Sequence, residues 1–500
     1  MAIRLWCVAL ALLGGCTVGP DFDRPSPWSP ASWFSRSAPK AQVASEPVPV
    51  PVDTAWWAAF HDPVLTGLID RAAASNLDVR TATSRVAQAR AQRGVNGAAE
   101  YPQLNGNSSA TRQRLSRNGA ASVFTGGGAP GTAANGLGGS QGGAIPSRAA
   151  IPAFDLFQGG LDASWELDLW GRVRRSIESA DASLEASQEA RRASLISVTA
   201  EVARSYLQLR NTQAQIAIAR ANLATAQESA GLTDARSRGG LATDLDVASA
   251  RAQQESTAAT LPLLEQQEAQ GVNAIGLLLA LPPAALASEL LPQRPLPPVP
   301  PSVPVGVPSE LARRRPDIRQ AEAQLHAATA DIGVAQAEFY PRITLTGSVS
   351  LQTSQLKSLF NAASGAYAFG PSITIPIFEG GRIRRTVELR QAQQQEAAIQ
   401  YQRVVLQAFT DVDNALVAYN SEQRRRTSLQ NQVGQARRAL GLAQSRYRQG
   451  ISDFLEVLTA QRTVLAAEQQ LADSQATVSE NLVALYKALG GGWEQTYPLE

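Results

Sequence analysis

The chain has 500 residues, with 45 Lys and Arg against 43 Asp and Glu and a formal net charge of +2 at pH 7. That near balance, without a dense basic run, argues against a nucleic-acid partner, and two Cys with two His (His61, His326) leave no metal cluster or disulfide framework to expect. Aromatic residues make up only 6%, a composition that suits long helices packed through small side chains in one elongated domain.

Residues 1–15 carry Arg4 and an apolar run from Leu5 to Leu13, too short to cross a bilayer and placed as in a signal peptide. Leu13-Gly14-Gly15-Cys16 resembles the bacterial lipobox, in which cleavage leaves the cysteine as a lipid-modified N-terminus. Cys16 is therefore the expected attachment site of a diacylglycerol and an acyl chain, and no other cofactor is expected. Thr17, rather than aspartate, follows it, which by the same resemblance favours the outer membrane. Residues 16–52 are rich in Pro, Ser and Ala without periodicity and read as an extended tether that gives the lipid reach.

A helix is predicted from 64 to 98, opened by Asp62-Pro63. A first strand at about 101–115 is the least clear. The segment from Asn118 to Gly143 is dense in Gly, Ala, Ser and Thr and reads as a flexible loop. The strand at about 155–170 alternates sharply, with Leu161, Ala163, Trp165, Leu167 and Leu169 opposed by Asp162, Ser164, Glu166 and Asp168. A helix from 172 to 238, a glycine turn near 239–243, a helix from 243 to 280 and a Pro-rich linker over 281–308 complete the first half.

The second half repeats the first. A helix at 310–338 leads to strands at about 341–352 and 366–378, separated by a loop much shorter than 118–143. Ile343, Leu345, Val349 and Leu351 face one side there, and Tyr367, Phe369, Ile373, Ile375 and Ile377 continue the apolar pattern. A helix from 382 to 448, a turn near 449–453 and a helix from 453 to 489 follow, with a tail at 491–500. Gly171-Arg-Val-Arg-Arg recurs as Gly381-Arg-Ile-Arg-Arg, and Gly171 to Gly240 and Gly381 to Gly450 are both separations of 69 residues. The domain reading is thus a first repeat over 53–280, the linker, and a second repeat over 309–490.

Strands of roughly 10 residues match a tilted transmembrane β-strand. Four of them cannot close a barrel, and an open edge cannot sit in lipid, so insertion requires several chains, with a trimer supplying twelve strands. Helices of about 67 residues reach on the order of 100 Å, and each remaining helix pair sums to a similar length. The fold class expected is α+β: a β-barrel continuing into a long α-helical barrel, with an internal two-fold repeat.

Arg315-Pro-Asp-Ile-Arg-Gln-Ala-Glu-Ala-Gln-Leu, Ile332-Gly-Val-Ala and Phe339-Tyr-Pro resemble the signature stretch of the TolC-like outer membrane factors. Trp56-Trp57-Ala-Ala-Phe60-His-Asp-Pro63, the Thr17-to-Pro25 segment and the lipobox are similar to the NodT-type lipoprotein branch of RND efflux systems. The resemblance implies a homotrimeric channel in the outer membrane of a Gram-negative bacterium, with its helical barrel in the periplasm. It also implies docking on a periplasmic adaptor and an inner-membrane RND transporter, export of drugs or other toxic small molecules, and no catalysis. A duct for secreted proteins and a lipid-anchored periplasmic coiled-coil scaffold are the alternatives the sequence leaves open.

By the same resemblance the two glycine turns form the periplasmic entrance, with adaptor contacts at Gly240, Leu241, Gly450 and Ile451. Asp244, Asp246, Asp453 and Glu456 lie close to those turns and are candidate gate acids, with Arg462 or Arg238 as pairing partners; Thr459 stands where many relatives place an aspartate. Arg172, Arg174 and Arg175 with Arg382, Arg384 and Arg385 open long helices, where positive charge opposes the dipole, so interfacial anchoring at lipid headgroups is expected of them. If the apolar strand faces look outward, Asp162, Glu166 and Asp168 line the lumen and make its wall acidic.

Overall fold

The computed structural model describes residues 17–26, 29–33, 45–114 and 153–494; Cys16, the signal segment and the 118–143 loop lie outside these residues. In chain order the elements are β1 (Glu46–Val48), α1 (Pro63–Ser75), α2 (Leu77–Gly97), β2 (Gln103–Gln113), β3 (Phe154–Leu167), α3 (Arg172–Arg238), α4 (Asp244–Ala258) and α5 (Thr260–Leu278). Then come α6 (Ala287–Leu290), β4 (Ser302–Pro304), α7 (Pro308–Arg314), α8 (Pro316–Ala337), β5 (Arg342–Thr353), β6 (Gly365–Thr374), α9 (Arg382–Arg448) and α10 (Phe454–Ala488).

Contacts divide the chain into two units, one built on 94–177 and 330–389 with the N-terminal residues up to Pro20, the other on 21–93, 178–329 and 390–500. The first unit holds a four-stranded antiparallel sheet in the order β2-β3-β5-β6, so the repeats meet at the β3–β5 pair. Cross-strand register aligns Leu161 with Val349 and Tyr367, Trp165 with Leu345 and Pro371, and Leu167 with Ile343 and Ile373. On the other face Asp162 stands beside Asn105 and Ser348, and Glu166 beside Thr344. Period-two alternation thus yields one apolar and one polar face. Among the described residues the apolar face has no partner: Val349, Tyr367 and Phe369 are 65%, 78% and 82% exposed.

Two strands are shorter than the sequence suggests. β3 ends at Leu167 because Asp168 turns to cap α3. β6 stops at Thr374, ahead of Pro376, which has no N–H to extend a ladder, so Ile375 and Ile377 lie beyond it.

Helices α3 and α9 are each 67 residues, about 100 Å of unbroken helix. The shorter partners carry breaks that periodicity did not reveal. Asn76 splits 64–98: its side-chain oxygen accepts from Asp78 and Val79 N–H at 2.8 and 3.2 Å, capping a new helix. Pro262 removes an interior donor and divides 243–280 at Ala259. Arg315, extended ahead of Pro316, separates α7 from α8.

The second unit contains the main core. Trp56, Phe60, Leu65, Leu68, Tyr206, Leu207, Tyr419, Leu482 and Tyr486 are all nearly inaccessible, and Trp56 stacks on Tyr486 at 5.3 Å. The Pro-rich 281–308 linker is held here: β4 pairs in parallel with β1, and buried Arg210 donates to the carbonyls of Leu290 and Pro292 at 3.1 and 3.0 Å. Tyr206 lies against the Arg210 guanidinium and donates to Asp62 at 2.6 Å; burial first, then this bond, pushes its phenol up to about 12. Gly490 and Gly492 thread the chain end through this core with φ of 71° and 105°; a Cβ on them would lie 2.8 Å from Arg315 Cγ and 2.9 Å from Trp56 Nε1. Trp493 beyond them sits under the guanidinium groups of Arg192 and Arg319, at 4.7 and 5.7 Å, and donates to the Arg314 carbonyl.

The N-terminal segment is extended but not a free tether. Val18 donates to the Trp170 carbonyl, Phe22 stacks on His326 at 4.4 Å, Trp33 is buried, and Ser45 is bonded through its backbone to Gln423. Each of these described stretches is attached to the rest of the fold.

Candidate functional site

Two places carry the sequence-predicted site residues: the turns that end α3 and α9, and the junction where strands hand over to helices. At the turns, Gly240 and Gly450 adopt φ of 70° and 77°. Leu241 N–H returns to the Arg236 carbonyl at 2.8 Å and Ile451 N–H to the Arg446 carbonyl at 3.0 Å, a Schellman closure in both repeats. It leaves Leu241 and Ile451 70% and 62% exposed, each presenting an apolar side chain at the tip.

The candidate gate acids are mostly engaged in ending and starting helices. Asp246 completes a capping box with Thr243, and Asp453 accepts from Glu456 N–H at 3.2 Å as the cap of α10. Glu456 lies 3.8 Å from Arg446, and Asp244 is exposed in the first turn of α4. The pairing expected with Arg462 or Arg238 is not what forms: Arg462 donates to Gln253 at 2.7 Å, and Arg238 pairs with Asp234 at 3.0 Å. Thr459 bonds back to the Leu455 carbonyl, so no acid stands there.

The residue that joins the tips is one the sequence reading passed over. Arg236, in the last turn of α3, donates to the carbonyls of Tyr447 and Arg448 at 2.8 and 3.2 Å and lies over the Tyr447 ring at 4.7 Å. These are terminal acceptors of α9, where a cation is favoured. Tyr447 packs on Phe454 at 5.5 Å, and Gln461 donates to Ser229 at 2.6 Å. Arg236, the Gln461–Ser229 bond and the Arg462–Gln253 bond link the first hairpin to the second, while Tyr447 and Phe454 pack within the second. The available signal was the Arg-x-Arg that precedes both turns, Arg236/Arg238 and Arg446/Arg448.

At the junction the six arginines divide. Arg172 grips Glu166 with two bonds of 2.8 Å, which hold its guanidinium above the ordinary range. Asp168 accepts from the N–H groups of Val173 and Arg174 at 3.0 and 2.9 Å and pairs with the Arg174 side chain at 3.3 Å, so a carboxylate offsets the unfavourable charge at the helix start. Arg175 is only 4% exposed and donates to the Val18 and Gly19 carbonyls, so it is not an interfacial anchor. Arg382 pairs with Glu338 and Glu379 at 3.0 Å each; Arg384 and Arg385 share Glu388 but stay about four-fifths exposed. A cavity of about 690 Å³ here is lined by Glu166, Asp168, Glu338 and Glu379 with Arg172, Arg342 and Arg382. Of the three acids expected to line the lumen, Glu166 is paired with Arg172 and Asp168 with Arg174, and Asp162 accepts from Asn107.

A sheet with one lipid-compatible face joined to helices of this length defines the class of outer-membrane channels. The sequence model described as outer membrane efflux protein matches residues 68–281 and 307–491, and the chain belongs to that family. It is 36% identical over 491 residues to the pyoverdine export outer membrane protein OpmQ of Pseudomonas putida, covering 98% of this chain and 97% of that one. It is 33% identical over 486 residues to the solvent efflux pump outer membrane protein SrpC of Pseudomonas putida, covering 97% of each. The solved outer-membrane channel OprN superposes with a TM-score of 0.83 at 33% identity, covering 96% of this chain and 100% of that one. The fold is the mostly helical, mixed helix-and-sheet TolC-like channel, and the family is one of passive outer-membrane channels, not enzymes.

Proposed function

We propose that three copies of this chain form the outer-membrane duct of a tripartite efflux pump, conducting drugs or other toxic small molecules received from an inner-membrane RND transporter and a periplasmic adaptor. The observation that carries the reading is the open four-stranded sheet, apolar on one face, that feeds helices of 67 residues. Among the described residues its outer strands β2 and β6 each leave one edge unpaired, which in lipid is untenable. Twelve strands from three copies close one barrel without edges. The two repeats, 53–280 and 309–490, then each supply a strand pair and a helical hairpin about the 281–308 linker.

In this reading a lipid on Cys16 anchors the chain, and Arg384 and Arg385, with the partly exposed Arg172, Arg174 and Arg382, sit at the level of lipid headgroups. Asp162 faces the lumen. Gly240, Leu241, Gly450 and Ile451 meet the adaptor, and the tips bearing Asp244, Asp246, Asp453 and Glu456 separate to open the entrance. Relatives named for solvent efflux and pyoverdine export support small-molecule cargo. Cysteine pairs placed along β2 and β6 should cross-link detergent-purified protein into a species of three chains, and the gene should restore dye efflux to a host that lacks this component. Cross-linking that stops at two chains, or grows without limit, would contradict the closed trimer.

A further inference from the structure

The groove flanked by Trp170–Arg175 and the last turns of α8 holds an occupant from the chain's own N-terminus. Val18 N–H bonds to the Trp170 carbonyl at 3.1 Å, and buried Arg175 reaches the carbonyls of Val18 and Gly19 at 3.4 and 3.3 Å. The approach is too close for side chains. A Cβ on Gly19, whose φ is 103°, would fall 2.5 Å from Gly333 Cα. A Cβ on Gly333 would fall 2.9 Å from the Val18 carbonyl oxygen and 2.8 Å from Arg175 Cγ, and one on Gly171 would fall 2.5 Å from Thr17 Cγ2. Gly333 lies inside α8, where helix propensity alone favours alanine. Its hydrogen is retained where the strap passes, and by contrast a Cβ on Gly94 in α2 would meet nothing within 4 Å.

We propose that Thr17–Pro20 is an intramolecular strap and that Gly171, Arg175 and Gly333 form its receptor, splicing the start of the first repeat's long helix to the end of α8 in the second repeat. The buried head of Arg175 donates to two carbonyls of the strap, so strap and receptor stabilise each other. Beyond Pro20 the same segment is held by a second set of contacts, Phe22 on His326 and Arg24 on Glu322. Thr17 abuts Gly171, just beyond the end of β3. Only the use of that placement by a lipid rests on the channel reading, whereas the strap itself does not.

The test uses the full chain purified in detergent, with chymotrypsin cleavage after Phe22 as the readout. Gly333→Val and Arg175→Gln should each raise the cleavage rate about tenfold or more, the signature of local opening, while Gly94→Ala leaves it unchanged. Gly333→Val should also lower the melting temperature, and Gly94→Ala should raise it slightly. A native cleavage rate in Gly333→Val overturns the proposal. Where that variant cannot be purified, a native rate in Arg175→Gln does so.

Discussion

Replacing Arg236 with alanine removes a charge-assisted link between the two hairpin tips. The guanidinium makes one bond of 2.8 Å and one of 3.2 Å to terminal carbonyls of α9 and covers the Tyr447 ring at 4.7 Å. A charge-assisted bond is worth about 1.5–3 kcal/mol and a partly exposed cation–π contact about 0.5–1. Arg236 is only half-buried and water replaces it at the freed carbonyls, so we take about 2–3 kcal/mol for the set. At 1.4 kcal/mol per decade this shifts the closed-to-open balance of the tips by about 30- to 150-fold. In a planar bilayer Arg236→Ala should show a larger mean conductance and longer openings than the native channel, with Arg236→Lys between them. Arg251→Ala, which breaks only the exposed pair with Asp234 at 3.1 Å inside the first hairpin, is the control and should leave conductance near native. Native conductance in Arg236→Ala, or an equal increase in Arg251→Ala, would show that this link does not hold the tips closed.

Asp246→Ala removes a capping box and should cost about 1 kcal/mol of local helix stability, read as faster amide exchange over Asp244–Val247; paired with Glu456→Ala it should raise conductance, and an unchanged trace counts against a gating role for these acids. Tyr206 has its phenol raised from the ordinary 10 to about 12, so its contribution is whole below pH 10 and lost as pH rises through about 12. Tyr206→Phe should therefore show a shallower loss of thermal stability between those values, and an unaltered slope would place the alkaline transition elsewhere. Trp493→Ala should cost about 2 kcal/mol through its two guanidinium contacts and its bond to Arg314, measured as a lower melting temperature, with a near-native value showing that the chain end is dispensable.

The sequence made the duplicated plan legible because local periodicity writes it. Alternation at Leu161–Leu167 and Ile343–Leu351 survives as one face of the sheet, and the paired glycine turns survive as Schellman closures. What stayed hidden depends on contacts remote in sequence or on backbone acceptors. Arg236 binds carbonyls, which no residue type advertises. Arg175 resembled its five counterparts until Val18 and Gly19 were found beside it. Gly333 read as an ordinary helix glycine in Ile332-Gly-Val-Ala, and its purpose emerges only when Gly19 passes over it. The helix starts misled for a related reason: three arginines there oppose the dipole, but Asp168, a residue of the preceding alternation, turns back to cap them.

Several open sheets closing into one duct should be visible in a particle image of the detergent-purified mature protein. A threefold particle well over about 100 Å long, the reach of the long helices alone, with a detergent belt around one end is expected. A compact particle, or a thin rod with no belt, would contradict the closed duct.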